Sequence, residues 1–402
     1  MSAPQHRSSQ FEPGAPAEGN GIPLCVPELR GNEWAYIKEC LDTNFVSSVG
    51  PFVNRFEREV AAYLGAACGV ATVSGTAALH VALLTLGVEP DDEVLVSTLT
   101  FIAPVNAIRY AGAWPVCIDA EPSYWQMDPE RVTAFLETQC RWSGGELRNA
   151  ATGRRVRAIM PVHILGHPVD MDPIVAMARR YGLAVIEDAT ESLGAEYRGR
   201  KVGTLGDIAC LSFNGNKLIT TGAGGLLVTD NDRWAARAKY LTTQAKDDGL
   251  EFVHGEVGFN YRLANILAAL GVAQLEQVDS YIAAKRRIAA AYASALQDVP
   301  GITLMPQAPW ASSIFWLYTV LVDESVYGLS SRDLIRALAA SGIQARPLWQ
   351  PAHQSPAHRD AVHTPCPVAE SLNARAVTLP SSVGLTLEQQ ARVLAVVTRS
   401  AL

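Results

Sequence analysis

Lys217 closes the stretch Leu211-Ser212-Phe213-Asn214-Gly215-Asn216-Lys217, just ahead of Thr220-Thr221-Gly222-Ala223-Gly224-Gly225. A lysine in a polar, glycine-rich turn suits an amine that must be partly neutral to form an imine. The glycines let the chain pass close to a ligand, and Ser212, five positions upstream, is placed to hydrogen-bond a phosphate. A single lysine is more often a solvated loop residue, so its neighbours carry the weight. A second segment, Val185-Ile186-Glu187-Asp188-Ala189-Thr190-Glu191, is an apolar strand ending in carboxylates. In parallel α/β sheets ligands lie beyond that C-terminal edge, where Asp188 falls. An ionised Asp beside a pyridine nitrogen keeps it protonated and turns the ring into an electron sink. The third segment, Ser74-Gly75-Thr76-Ala77-Ala78-Leu79, is a strand-to-helix turn whose bare N–H groups, Thr76 hydroxyl and positive helix end suit a phosphate. Alone, that turn reads equally as a helix cap, and Asp188 alone reads as a turn cap. Their order along one chain is the signal.

Three separated segments need a scaffold that brings them to one edge. From about residue 69 short apolar runs alternate with longer amphipathic ones, the pattern of strands joined by helical crossovers. Residues 69–73, 93–96, 114–118, 156–162, 183–186 and 226–229 read as strands. Residues 76–86, 102–110, 128–137 and 172–181 read as helices, several opened by Asp, Pro or Thr. The fold class is α/β, a mostly parallel sheet flanked by helices on both faces. Residues 138–155, with Gly144-Gly145 and several arginines, have no apolar period and read as a surface excursion. After about residue 279 come an Ala-rich helix (281–296), a proline-bearing loop, a strand (317–322) and a helix (331–341). This divides the chain into a large ligand-binding domain over 22–278 and a smaller C-terminal α/β domain over 279–402. Residues 1–21, rich in Pro, Gly, Ser and Ala, read as a loose tail.

The chain has 402 residues, with 33 Lys and Arg against 40 Asp and Glu. That mildly acidic balance leaves no footprint for nucleic acid or an anionic membrane. No apolar run approaches the roughly 20 residues that span a bilayer. Seven cysteines without a Cys-x-x-Cys pair fit reduced thiols, and with no secretory signal the expected location is cytoplasmic. His163 and His167 lie four apart, but Gly166 and Pro168 oppose a helix that would align them, so no metal site is expected. His163, near the sheet's C-terminal edge, is a candidate for holding substrate or cofactor. Arg346-Pro347-Leu348-Trp349 supplies a cation and an aromatic suited to a diphosphate or sugar, or else packs as an ordinary turn. Trp310, Phe315 and Trp316 read as core or interface.

With these motifs in this order the chain resembles the sugar aminotransferases of the DegT/DnrJ/EryC1/StrS family, pyridoxal-phosphate enzymes of fold type I. The resemblance runs from about residue 22 to the end and includes residues 44–53 and 163–172. It implies pyridoxal 5'-phosphate bonded to Lys217, which also shuttles the proton. It implies Gly75 and Thr76 as the phosphate turn, Phe101 stacked on the ring, and Asp188 paired with the ring nitrogen. Glu191 would sit near the phenolic oxygen and Ser212 on the phosphate. Asn260, in Gly258-Phe259-Asn260-Tyr261-Arg262, would reach the phosphate of the neighbouring subunit, which implies a homodimer with shared active sites. Ala223 stands where many members carry a glutamate, leaving Lys217 and Asp188 intact. The implied reaction moves an amino group from L-glutamate to a nucleotide-linked keto-sugar in two stages. The wording Ser-Phe-Asn-Gly-Asn-Lys is similar to the branch that aminates C4 of UDP-linked 2-acetamido-2,6-dideoxy-4-keto-hexoses, which sets the expected substrate. A GDP- or dTDP-linked 3- or 4-keto-sugar is the alternative. Sugar 3-dehydrases of this fold put His where Lys217 stands, and intact Asp188, Ser212 and Lys217 oppose a non-catalytic regulatory homologue. A nicotinamide oxidoreductase is opposed by the missing Gly-x-Gly-x-x-Gly fingerprint.

Overall fold

The structure is a computed structural model that describes residues 21–400. Apart from residue 21, the expected tail lies outside the described residues. Seven strands build the main sheet: β1 (Cys68–Thr72), β2 (Glu93–Ser97), β3 (Trp114–Ile118), β4 (Val156–Met160), β5 (Ala184–Asp188), β6 (Ile208–Ser212) and β7 (Gly225–Thr229). Their order is β1-β7-β6-β5-β4-β2-β3, and a short strand, Val362–His363, extends the β3 edge. Only β7 runs against the rest, pairing antiparallel with both β1 and β6. Every residue of β2 and β5 is buried because helices cover both faces. The helix Gly75–Thr85 is apolar nearly all round and is buried from Ala77 to Leu83. Asp128, whose side chain accepts from the N–H groups of Glu130 and Arg131, opens the helix Pro129–Thr138. Gly182, in the left-handed region at φ 65°, ends the helix Met171–Tyr181.

Register brings the motifs together. Gly225, at the start of β7, faces Thr72 at the end of β1 on one side and Ser212 at the end of β6 on the other. Cys210 of β6 faces Asp188 at the end of β5. The strand ends that precede the Gly-Thr turn, the carboxylates and the lysine turn therefore share one sheet edge.

The reading of 138–155 as an irregular excursion is corrected. Cys140–Ser143 pairs antiparallel with Glu146–Asn149, turning through Gly144 at φ 63° and Gly145 at φ 83°. Two successive positive φ values make the tight turn that matches strand twist, and Gly-Gly supplies them without strain. Cys140–Ser143 is largely exposed, and in Glu146–Asn149 only Leu147 and Asn149 are buried, too little apolar alternation to mark a strand.

Beyond the long helix Val278–Leu296, Ile302–Thr303, Tyr318–Val322 and Ala376–Leu379 form a three-stranded antiparallel sheet. The helix Ser331–Ala340 packs on this sheet, and Leu387–Arg399, opened by a capping box between Thr386 and Gln389, packs on Ser331–Ala340 and on the long helix. The chain passes more than once between the two sheets. Ile22 bridges Ile343, and Val362–His363 pairs with β3.

Candidate active site

Ser74 is extended, and its hydroxyl accepts from Ala77 N–H at 3.1 Å, so the helix begins at Gly75 with its first N–H groups facing the sheet edge. A methyl group on Gly75 would lie 2.9 Å from Ser212 Cβ, 3.2 Å from Ser212 Oγ and 3.2 Å from Thr190 Cγ2. Three motifs far apart in sequence thus meet within the width of one side chain. The glycine is required by this close approach. Beside this contact stand a helix N-terminus and a serine hydroxyl, donors that a phosphate needs.

Asp188 is 1% exposed, and its Oδ1 accepts from Thr190 N–H at 3.1 Å. Burial pushes its pKa up, against the opposing pull of Thr190 and of the Lys217 charge. A carboxylate so placed gains from a cationic N–H partner such as a protonated ring nitrogen. Its neighbour Glu187 is also buried, but bonds from His163 and from the N–H groups of Gly203 and Gly206 outweigh that burial and hold its pKa below the usual range.

His163 is fully buried, and both ring nitrogens are taken by protein partners. Nδ1 accepts from Val169 N–H at 3.0 Å, so Nε2 carries the hydrogen toward Glu187 Oε2 at 3.1 Å. Its backbone N–H donates to Asp188 O at 3.1 Å. The structure therefore makes it a brace behind the Asp188 strand, not a side chain aimed at a ligand. His167 has different partners, Pro168 O on Nδ1 at 2.8 Å and Ala308 N–H on Nε2 at 3.0 Å.

Lys217 follows a tight turn in which its N–H donates to Asn214 O at 3.0 Å. Its side chain is 14% exposed, with Nζ 3.7 Å from Glu191 Oε1. Glu191 Oε2 accepts from Leu165 N–H at 2.9 Å. Burial pushes the Glu191 pKa up to about 7, with Lys217 and the Leu165 bond pulling the other way. A carboxyl that titrates near neutrality beside an amine can take up and return a proton. The face of Trp316 lies 4.1 Å from the same Nζ. Trp316 had read as core or interface; no local pattern marks it, because its approach is made by a segment 100 residues from Asn216.

Phe101 is 55% exposed just past β2, open for a ring to stack on. Asn260 is exposed on a segment pinned to the β1 end, where Val73 N–H donates to Tyr261 O at 2.8 Å. Arg262 anchors this segment from beneath through a buried pair with Glu57, Nη2 to Oε2 at 3.1 Å. Arg346 joins the small sheet through backbone bonds with Thr378, and Trp349 O accepts from Asn373 Nδ2 at 2.9 Å.

A reversed strand in an otherwise parallel sheet, with a buried Asp, a lysine turn and a helix N-terminus beside a serine hydroxyl gathered at one edge, fits pyridoxal phosphate and defines a pyridoxal-phosphate-dependent aminotransferase of fold type I. The chain belongs to the DegT/DnrJ/EryC1/StrS aminotransferase family, which it matches over residues 27–398. It is 41% identical over 377 residues to the GDP-perosamine synthase of Caulobacter vibrioides, covering 93% of this chain and 96% of that one. It is 37% identical over 368 residues to the GDP-perosamine synthase of Escherichia coli O157:H7, covering 92% and 95%. Among solved structures, DesV of S. venezuelae superposes with a TM-score of 0.82 at 33% identity, covering 92% of this chain and 94% of that one. Both sequence relatives are named for a GDP-linked sugar. The expected UDP-linked branch is not the one they support: the wording that suggested it surrounds Lys217 and the cofactor, not the part of the site that reads a nucleotide. Among the described residues no helix is long and apolar enough to cross a membrane.

Proposed function

We propose that this chain transfers the amino group of L-glutamate to a GDP-linked 4-keto-6-deoxy sugar, giving 2-oxoglutarate and the 4-amino sugar, as a cytoplasmic homodimer. The observation that carries the chemistry is the Lys217 amine, 3.7 Å from Glu191 at the edge that also holds Asp188. The choice of nucleotide rests on the GDP-perosamine synthases.

Pyridoxal phosphate, when bound, supplies an electron sink and carries the amino group between the two substrates. Asp188 would hold the ring nitrogen, Phe101 a ring face, and Gly75, Thr76 and Ser212 the phosphate. Lys217 Nζ would hold the carbonyl carbon until an incoming amine displaces it, then take the proton from the donor's α-carbon and deliver it to the carbon that accepts it. Glu191 keeps Nζ in place and, titrating near neutrality, exchanges protons with it. The large part of the chain, 22–278, binds the cofactor, and the small part, 279–402, closes the substrate side with Arg346 and Trp349 as candidate contacts.

Exposed apolar residues at Val46, Val49, Phe252 and Val257, close in sequence to residues 44–53 and to Asn260, support a second copy packing here. Asn260 would then complete the partner's phosphate site. The test is to incubate the protein with L-glutamate and a panel of GDP-, UDP- and dTDP-linked keto-sugars, reading the product by NMR. Amination of the GDP-linked sugar is expected. Exclusive turnover of a UDP-linked sugar would overturn the nucleotide assignment, and steady turnover by K217A near the wild-type rate would overturn the role of Lys217.

A further inference from the structure

Lys285, in the helix Val278–Leu296, is 1% exposed and, among the described residues, has no carboxylate within ion-pair reach. Its Nζ donates instead to Trp316 O at 2.8 Å, to Ser381 O, and to Cys25 Sγ at 3.5 Å. Three acceptors match the three N–H bonds of an ammonium. Two of these partners turn to a single further atom. Trp316 Nε1 donates to Asn216 O at 2.8 Å, and Cys25 Sγ donates to the same oxygen at 3.3 Å. Asn216 immediately precedes Lys217. Trp316 is fixed at its other end too, its N–H donating to Leu165 O at 3.0 Å, while Leu165 N–H holds Glu191. Trp316 is thus held at its backbone N–H, its backbone carbonyl and its ring nitrogen, with the indole face 4.1 Å from Lys217 Nζ.

We propose that Trp316 is a catalytic residue that stabilises the ammonium form of Lys217 whenever that amine is detached from the cofactor, and that Lys285 is the positioning residue that holds Trp316 there. This deepens the reading above and rests on Lys217 being the reacting amine. An amine that shuttles a proton must carry charge for part of each cycle inside a nearly closed site, where burial disfavours charge. Glu191 at 3.7 Å and, at longer range, Asp188 are the charged groups that face it. Either carboxylate can change its own protonation or partner during turnover. An aromatic face cannot, and its attraction for a cation grows as water is excluded. Lys285 reaches Trp316 through the backbone carbonyl, so it sets where the ring lies without touching Lys217.

The test uses the full-length chain freed of cofactor, with acetic anhydride as probe and Lys217 acetylation followed by peptide mass spectrometry. At pH 8, W316L is expected to raise the Lys217 rate roughly threefold to tenfold, and W316F, which keeps a ring, by less. The excess should shrink as the pH is raised, because less of the amine is then charged and less is there for the ring to stabilise. An excess that stays constant with pH reports access alone and overturns the proposal, as does an unchanged rate in W316L. K285M should raise the rate in the same direction and shift the pH midpoint of the visible band of the loaded enzyme. If K285M lowers the melting temperature but moves neither readout, Lys285 is only packing and its half of the proposal fails. Borohydride reduction of the loaded wild-type protein separates the two readings. No cofactor mass on Lys217 sinks the Lys217 assignment, whereas cofactor on Lys217 with unchanged labelling in W316L sinks the Trp316 proposal alone.

Discussion

Glu191 and Asp188 lie at the same strand end, but Glu191 alone has its titration placed near neutrality, and that makes a prediction with a definite sign. Its pKa in the folded chain, about 7, stands above the ordinary 4.5. The folded protein therefore binds this proton more tightly than the unfolded chain does. The resulting stability is complete below about pH 4.5 and is lost as pH rises through about 7, a change of up to roughly 3 kcal/mol. The cofactor-free protein should lose melting temperature between pH 5 and pH 8, and E191Q, which cannot titrate, should be flatter across that window. An equally steep fall in E191Q would assign the dependence to another group. A second prediction concerns the amine. K217A should lose steady turnover by about a hundredfold to ten-thousandfold, the range that a positioned acid–base group contributes. It should still bind the cofactor, but borohydride should leave no cofactor mass on the protein. At this scale the sequence was legible wherever a residue sat inside a local pattern. Asp188 closes an apolar strand and Lys217 closes a glycine-rich turn, so each carries its context with it. His163 was misread because position near the edge says nothing about which way both ring nitrogens are engaged. Trp316 was invisible because only tertiary folding brings it to the lysine.

Two glycines decide how closely the elements of the site meet. Gly75 opens its helix against Ser212, and Gly225 opens β7 against the turn that precedes that helix. An added Cβ on Gly225 would come within 2.3 Å of Ser74 O, a backbone atom that cannot swing aside. G225A should therefore destabilise the fold by about 1–3 kcal/mol, seen as a lower melting temperature with or without cofactor. G75A meets Ser212 Cβ at 2.9 Å, at the turn suited to the phosphate. It should lose some stability, less than G225A, and bind pyridoxal phosphate roughly tenfold or more weakly in an absorbance titration. Equal loss of stability in both variants, with cofactor affinity untouched in G75A, would remove the phosphate role from this turn. The helices read over 102–110, 128–137, 172–181 and 331–341 were legible because each buries an apolar face, whereas Glu33–Asp42, Pro51–Leu64, Asp232–Thr242, Asn265–Leu275 and Leu387–Arg399 went unread. The ribbon Cys140–Asn149 and the pair Val362–His363 were not legible either: the first buries only Leu147 and Asn149, and the second is too short to show any period.

At the scale of the whole molecule, the open question is whether one chain suffices. Asn260 is exposed on its own chain although its segment is firmly anchored through Tyr261 and Arg262, so its side chain is presented outward by design of the backbone around it. Phe101 stands exposed at the same edge, and large apolar side chains at Val49, Phe252 and Val257 lie open as well. A twofold dimer that buries them would carry each Asn260 into its partner's site, since such an interface uses the same surface on both chains. Mixing two damaged chains tests this directly. K217A alone should be nearly inactive, and N260A alone should be weakened by poor phosphate binding. If Asn260 acts across the interface, a mixed dimer holds one site with both lesions and one with neither. Equal amounts, unfolded and refolded together, give about half mixed dimers, hence about a quarter of the wild-type activity. Activity in the mixture above that of N260A alone, with the cofactor affinity of the wild type in the recovered fraction, is the expected outcome. If Asn260 serves its own chain, every site in the mixture keeps one lesion, and activity stays at the average of the two parents.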